Sequence, residues 1–600
     1  MNQAFFLITR KISDLRSLDK IAPGTPVVCL CTTAGLLDEC SRQGFRAILL
    51  TEELLSGHYR SINLWAYQEV RALTEHFKPQ REAFLFFESY HAFLRALFIH
   101  LLSVELILKR LISEQGIRHI GLVESKPSFL NLAVRTCLEE RHPGIDYTVL
   151  PSSARSGDAK PPADPKKFIK RFFARLCGPA QLGGGPAKKA GRKLLLVSGA
   201  LNHLAPLIGS LRKTEPVDIL FVENVFDLNK FFYCLRRGFK YVVLDAPHRQ
   251  PEYKERLAGH FEKRPVRFGD NDLTRICART FSEALGNRDF YPYFYSFYDP
   301  PAAAGLFEGR SIDGVLLDED FSPRRLFAAL AAASHRPSFV VSHGIPYVHV
   351  EGDPSLLTTS SALTFVNSEF EKEVYRKIFY PDGNLIAAGL PRYDGLLDRP
   401  RPVSRGAQSV LFCSSSMEEW DFEAFYYGAG ERDVLGDRMK AYLKDLLDAV
   451  DRPGELVLKI KPHYDHERHF KALFKEWGVR RTDVELLSHG ENLFDQMLSA
   501  NLVITTESTV ICEALKFGKP VIVLDYPRRL TRPDYEARGV VLRVTNREEL
   551  CEAVRKVFQD AGCVKELENN RAKAGNYFTG PSDGKNSSRV AGIIWEHLQK

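Results

Sequence analysis

Short runs of β-branched and aliphatic residues recur along this chain, separated by segments of helical length. That alternation limits the possible folds more than any single motif does. Between residues 193 and 389 the runs are KLLLVSG (193–199), VDILFVE (217–223), YVVLDAP (241–247), GVLLDED (314–320), SFVVSHG (338–344), LTFVNS (363–368) and LIAAG (385–389). A short, continuously apolar run bounded by turn residues reads as a strand buried on both faces. Strands that alternate with helices pair in parallel. SPRRLFAALAAAS (322–334) is such an intervening helix, with Ser322 a candidate N-cap and Pro323 at its first position.

The same alternation appears on both sides of this stretch. Upstream lie TPVVCLCT (25–32), FRAILLT (45–51), IRHIGLVES (117–125) and DYTVLP (146–151), with a helix expected from Pro127 to Glu140. Downstream lie SVLFCSSS (409–416), ELVLKIKPH (455–463), VELLS (484–488), NLVITTES (501–508), PVIVLDYP (520–527) and VVLRVT (540–545). At roughly 150 residues per domain, 600 residues admit three or four units. The expected division is an α/β unit over 1–151, a linker over 152–190, and α/β units over 191–400 and 401–600, the last closed by a C-terminal helix. The linker is rich in Gly, Pro, Ala, Ser and Lys. The expected fold class is α/β, with doubly wound sheets and no internal repeat of solenoid length.

Composition excludes other classes. Hydrophobic residues make up 44% and charged residues 26%, the balance of a globular chain rather than a disordered or multi-span one. The apolar stretch Ala92 to Ile112 carries Arg95, His100, Glu105, Lys109 and Arg110, so it reads as a packed amphipathic helix. A net charge of +7 permits contact with phosphates or anionic lipid without suggesting a nucleic-acid protein. The 11 cysteines follow no metal spacing and read as reduced, buried thiols. The N-terminus shows no signal-peptide core, so a cytoplasmic location is expected, at most against the inner face of the membrane. The segment 166–176 (KFIKRFFARL and the preceding Lys) alternates cations with aromatic residues. It reads either as a helix lying on anionic lipid or as one packed on a neighbouring domain.

Two adjacent doubly wound units leave a cleft at the carboxyl ends of their strands, and ligands bind there. The residues at those ends are therefore the candidates. In 501–527 a strand leads into a helix with Ser508 and Thr509 at its start and Glu513 one turn on. The hydroxyls and the unpaired helix N–H groups suit a phosphate, and Glu513 suits a ribose or sugar hydroxyl. Plain capping by Ser508 and a solvated Glu513 is the alternative. In LKIKPHYDH (458–466), Pro462 ends the strand and turns His463 outward beside Lys461, where a histidine can act on a phosphate. In SFVVSHG, His343 faces the cleft as a candidate base, and Gly344 permits a close approach. Arg392 in AAGLPRYDG (387–395) pairs with phosphate or with Asp394. Asp318 is a second candidate base, or simply a loop acid before a helix.

Taken in order, HG at 343–344, GxPRxD at 389–394, KPH at 461–463 and the TTESTV…EAL..GKPVI block at 505–522 resemble the CDP-glycerol glycerophosphotransferase family. They also resemble the wider GT-B glycosyltransferases of bacterial surface-polymer synthesis, including sialyl- and Kdo-transferases. The resemblance covers residues 190–600. It implies a GT-B-like pair of Rossmann-type domains and a metal-independent transferase with no cofactor. By the resemblance His343 would be the base, His463 would contact the donor phosphate, Ser508 and Thr509 would hold it, and Glu513 would bind a ribose; Lys461, Gly344 and Arg392 are the further donor-site candidates that the residues themselves suggest. The implied partners are a nucleotide-activated donor, CMP/CDP- or UDP-linked, and a polysaccharide or lipid-linked acceptor. Tyr464 in place of proline, and Thr506-Glu507 in place of Asp-Tyr, depart from the family pattern. Glu513 favours a sugar over a polyol-phosphate donor, and a nucleotide-sugar 2-epimerase or a non-catalytic nucleotide-binding module are the further alternatives.

Overall fold

The computed structural model describes residues 5–9, 25–31, 40–49, 59–80, 87, 91–124, 129–151, 191–224, 226–244, 254–286, 300–309, 311–319, 324–344, 361–377, 384–395, 408–414, 437–451, 456–462, 467–479, 481–488, 490–506, 508–526 and 534–600. His463, Asp320 and the segment 166–176 lie outside them.

Three parallel sheets carry the chain. The first contains β1 (Phe5–Thr9), β2 (Val27–Cys31), β3 (Arg46–Leu49), β4 (His119–Glu124) and β5 (Asp146–Pro151), in the order β3-β2-β1-β4-β5. The second opens with β6 (Lys193–Ser198), β7 (Val217–Glu223) and β8 (Lys240–Val243). A two-residue antiparallel ribbon, β9 (Arg267–Phe268) with β10 (Asn271–Asp272), interrupts it. The sheet then resumes with β11 (Gly314–Leu317), β12 (Ser338–Val341), β13 (Leu363–Val366) and β14 (Leu385–Ala387), in the order β14-β13-β12-β11-β6-β7-β8. The third contains β15 (Gln408–Cys413), β16 (Leu456–Lys461), β17 (Val484–Leu486), β18 (Leu502–Thr505), β19 (Val521–Leu524) and β20 (Leu542–Val544), in the order β17-β16-β15-β18-β19-β20. Each sheet places its own fourth strand beside its first, the doubly wound order, with a switch point between those two strands. The fold is a GT-B-like pair of Rossmann-type units preceded by a further α/β unit.

The strands follow the buried runs of the sequence because both faces are covered. On β6, Leu195 and Val197 join one apolar cluster while Leu196 joins another. On β15, Leu411 and Cys413 join the first of those clusters, and Val410 and Phe412 a third. One cluster thus takes side chains from both the second and the third sheet, which ties the two units together. Within the three parallel sheets, β1 is the strand that the sequence reading leaves out. FFLIT is five residues with no turn signal before it, and only its pairing with β2 and β4 identifies it.

Two packing arrangements cross the divisions expected from the sequence. The helices Lys254–Lys263 and Thr274–Gly286 follow the second unit's β8, yet Phe261, Ile276 and Phe281 lie in the core of the first unit. Trp65 Nε1 donates to Arg267 O at 2.8 Å, and Arg279 is ion-paired with Glu139, Glu140 and Glu283. The C-terminal helix Asn586–Gln599 returns to the second unit. It buries Val590, Ile594 and Leu598, and Leu598 leaves no room for a Cβ at Gly314 on β11.

The long apolar segment expected to be a packed helix is one, His91–Gln115, with Leu94, Leu101 and Leu108 in the first core. Among the described residues no helix is long and apolar enough to cross a membrane.

Candidate functional site

The second sheet's switch point lies between β6 and β11, and the side chains at their ends meet there. Gly199 follows β6 with φ of +151°, and a Cβ at this position would lie 2.6 Å from the Asp318 carboxylate. The glycine lets the chain turn against that acid and enter the helix Leu201–Thr214. Asp318 Oδ2 accepts from Ala200 N at 2.6 Å, which satisfies the N-cap amide of that helix. Asp318 is buried, and Arg324 Nη1 lies 3.2 Å from its other oxygen. It is therefore built into the wall of the cleft, not a loop acid in solvent.

His203, in the first turn of the same helix, was not singled out from sequence. It is 3% exposed. Arg392 Nη1 sits 3.2 Å from its Nε2. A guanidinium only donates, so Nε2 must accept and the ring proton must sit on Nδ1. That Nδ1 has no hydrogen-bond partner and points toward Asp318 Oδ2 at 3.8 Å. Burial, then the charge of Arg392, push the imidazole down to about 2, so it stays neutral. The signal available in the sequence was its place at the start of the first helix after β6, next to the switch point.

His343 follows β12, and its ring packs edge-on against His203 with centroids 4.1 Å apart. The residue remains exposed on its other side. Burial of the packed face, then the Arg392 charge, lower its basicity, and Asp318 opposes them. One ligand-type atom from each of His203, Asp318 and His343 falls within 4.8 Å of the others. Such a trio is able to hold a metal ion, but Arg392 and Arg324 already bring two positive charges to it. The surroundings suit a proton-accepting group better than a cation site.

Arg392 joins this cluster to the third sheet's unit. It sits in the turn Pro391–Tyr393. Nη1 also donates to His343 O at 2.9 Å, and Nη2 donates to Tyr393 Oη at 2.8 Å and to Glu513 Oε1 at 2.9 Å. Tyr393 Oη donates to the same Glu513 oxygen at 3.0 Å. Arg392 therefore pairs with Glu513, not with Asp394. Glu513, 5% exposed, is not a solvated acid. Burial raises its carboxyl, partly offset by Arg392 and Tyr393. Asp394 instead accepts from Asn586 N at 3.0 Å and Ser587 N at 2.5 Å, which caps the C-terminal helix. Gly389, at φ of +80°, makes room for the Asn586 side chain. The GxPRxD segment thus has a separate structural task for each of its Gly, Arg and Asp.

The facing wall comes from the third sheet. Thr509 touches the second unit directly, since a Cβ at Gly344 would lie 2.6 Å from Thr509 Cγ2. His343-Gly344 and Ser508-Thr509 are therefore neighbours across the cleft. The helix beyond them is short, Val510–Lys516, and Thr509 Oγ1 makes no capping bond to it. Ser508 Oγ accepts from Val510 N at 3.3 Å. Lys461, expected to face a donor, donates to Ser488 O at 2.5 Å and Glu491 O at 2.8 Å. Burial lowers its ammonium.

No family model and no curated protein matches the sequence. Solved structures show a distant similarity. S. aureus MnaA in complex with UDP is 14% identical, covering 68% of this chain and 97% of that one, with a TM-score of 0.44. The UDP-GlcNAc 2-epimerase from Neisseria meningitidis bound to UDP-GlcNAc is 14% identical, covering 68% and 99%, with a TM-score of 0.43. The wall teichoic acid polymerase TagF is 11% identical, covering 72% and 95%, with a TM-score of 0.39. At such identities and TM-scores both the fold and the chemistry have to rest on this chain's own residues.

Proposed function

We propose that the protein is a transferase that moves a glycosyl group from a nucleotide-activated sugar to an acceptor hydroxyl. The observation that carries this reading is a proton acceptor at the cleft mouth. His343 is exposed on one side, its basicity is lowered by its surroundings, and its neighbour Gly344 lies against Thr509 on the opposite wall. A base of this kind is what an attacking hydroxyl needs.

In the reaction, the acceptor oxygen bonds to the anomeric carbon as the bond from that carbon to the donor diphosphate breaks. The acceptor proton goes to His343. Asp318 lies close enough to stabilise the imidazolium that forms. His203 stays neutral and orients the His343 ring by packing, while Arg392 holds both histidine residues through His203 Nε2 and the His343 carbonyl. Ser508 and Thr509 are the proposed contacts to the donor phosphate, and His463 is proposed to act on the same group. Gly344 lets the two walls approach closely beside that phosphate. Arg392 and Glu513 serve this site as a buried bridge between its walls rather than as direct donor ligands. The same base serves a CDP-polyol donor equally well. A lipid-linked acceptor would place the protein at the inner face of the cytoplasmic membrane.

His343→Ala tests the reading. It should lower turnover by about 10²- to 10⁴-fold, the usual contribution of a positioned base, while leaving nucleotide affinity intact. Transfer is measured with nucleotide-sugar and CDP-polyol donors in parallel. Undiminished turnover in the variant removes His343 from the chemistry. Inversion at C2 of UDP-GlcNAc with no acceptor present assigns the cleft to a 2-epimerase instead.

A further inference from the structure

The helix Leu228–Arg237, between β7 and β8, presents apolar side chains to solvent as well as to the core. Its only fully buried residue is Cys234. Leu228, Phe232 and Leu235 are 42%, 44% and 64% exposed. At 100° per residue these three positions fall in one narrow stripe. Elsewhere among the described residues, the large exposed apolar side chains are Val149 and Trp477, each alone. A scattered apolar residue on a surface needs no explanation, but a contiguous stripe does.

Positive charge surrounds the stripe. Residues 228–240 contain no acid and carry Arg236, Arg237 and Lys240, besides Lys230, whose side chain is 12% exposed and turned inward. Arg212 and Lys213, exposed in the last turn of the helix Leu201–Thr214, stand beside it, because Arg212 Nη1 donates to Arg237 O at 2.8 Å. Two acids that precede the helix are used internally. Asp227 caps the helix through Lys230 N, and the buried Glu223 is paired with Lys230 Nζ at 2.7 Å. Cations at a helix C-terminus complement its dipole, but that does not account for Leu228, Phe232 and Leu235.

We propose that this face docks on an anionic lipid surface, with the apolar stripe entering the headgroup boundary and the arginine and lysine side chains meeting lipid phosphates. A bilayer interface rewards both features together. A second copy of the chain does not, because a two-fold contact through this face would bring two positive patches together. The face is also linked to the cleft. Glu223, which holds Lys230, accepts from Gly199 N at 3.2 Å, and Gly199 abuts Asp318. Docking here would bring the β6 side of the cleft near the bilayer. The lipid contact itself does not rest on the transferase reading and is measured without substrate.

The test is co-sedimentation of the full chain with vesicles of phosphatidylcholine, with and without phosphatidylglycerol. The wild type should sediment only with the anionic vesicles, and less so as salt is raised. Phe232→Ser with Leu235→Ser should lower partitioning about tenfold or more, and Arg236→Gln about fivefold, with the melting temperature unchanged because all three side chains are exposed. Absence of wild-type binding to anionic vesicles overturns the proposal. So does equal binding by the Phe232/Leu235 double variant, which would put the lipid contact elsewhere, with 166–176 the first segment to examine. A concentration-dependent dimer of the wild type that the double variant abolishes, without lipid binding, assigns the face to a second copy.

Discussion

Arg392 is the residue on which most of the cleft depends, and its pairings decide what substitution does there. Its guanidinium is largely buried and meets Glu513 from the other unit at 2.9 Å. Removing one member of a buried ion pair leaves an uncompensated charge. Glu513→Ala should therefore cost about 3–5 kcal/mol in urea unfolding, and adding Arg392→Met should recover part of that loss. A loss well under 1 kcal/mol would mean that water reaches the guanidinium and that the bridge is not closed. His203 makes a prediction of opposite type. Its folded-state pKa is depressed to about 2, below the ordinary imidazole value. Above about pH 6.5 both states are neutral and it contributes no pH dependence. As pH falls through that value the unfolded chain takes a proton that the folded chain refuses. Stability should then fall by about 1.4 kcal/mol per pH unit from this group. His203→Gln should flatten the stability curve between pH 6.5 and 5 by that slope. An unchanged slope would show that the ring is protonated in the fold.

At the scale of elements, most strands were legible because a strand covered on both faces has to be continuously apolar, and little else in such a chain is. VDILFVE and DYTVLP match β7 and β5 residue for residue. FFLIT was missed because a five-residue run offers no flanking pattern. Where an element docks is another matter. The C-terminal helix could be expected from its sequence, but its place on the second unit comes from a tertiary cap: Asp394 takes the amides of Asn586 and Ser587. Asp394→Ala should destabilise that docking by about 1–2 kcal/mol, the usual loss on removing a helix cap. Hydrogen exchange would register it as faster exchange confined to 586–599. Gly389→Ala should act at the same place, since it adds a Cβ at positive φ against Asn586. Unchanged exchange in both variants would mean that the helix is held by its apolar face alone.

For the whole molecule, the cleft and the contact between its walls matter together. Gly344 lies against Thr509, and one apolar cluster takes side chains from both sheets. A nucleotide that binds between them should stabilise the folded chain as a unit. At a hundred times its dissociation constant a ligand adds about 2.7 kcal/mol, a shift readable in a thermal panel of CMP, CDP, UDP and GDP. Cytidine nucleotides are expected first and UDP second. No shift with any of them would argue for a cleft that does not bind nucleotides. The helices Lys254–Lys263 and Thr274–Gly286 show the same dependence on the whole. They belong to the second unit by position and to the first by packing.

Sequence alone determined the kind of fold, because burial on both faces of a parallel sheet leaves a pattern that local composition cannot hide. It also gave the strand ends as the expected place for chemistry, with His343, Asp318, Arg392, Ser508 and Thr509 as candidates there. Only the tertiary structure decided what those groups touch. It brought His203 in beside His343, turned Arg392 toward Glu513 rather than Asp394, and committed Lys461 to two carbonyls. The reason is physical. An apolar period is a property of neighbours along the chain, whereas a charge chooses its partner by proximity in space. Residues 203, 343, 392 and 513 become neighbours only after two sheets have folded and met.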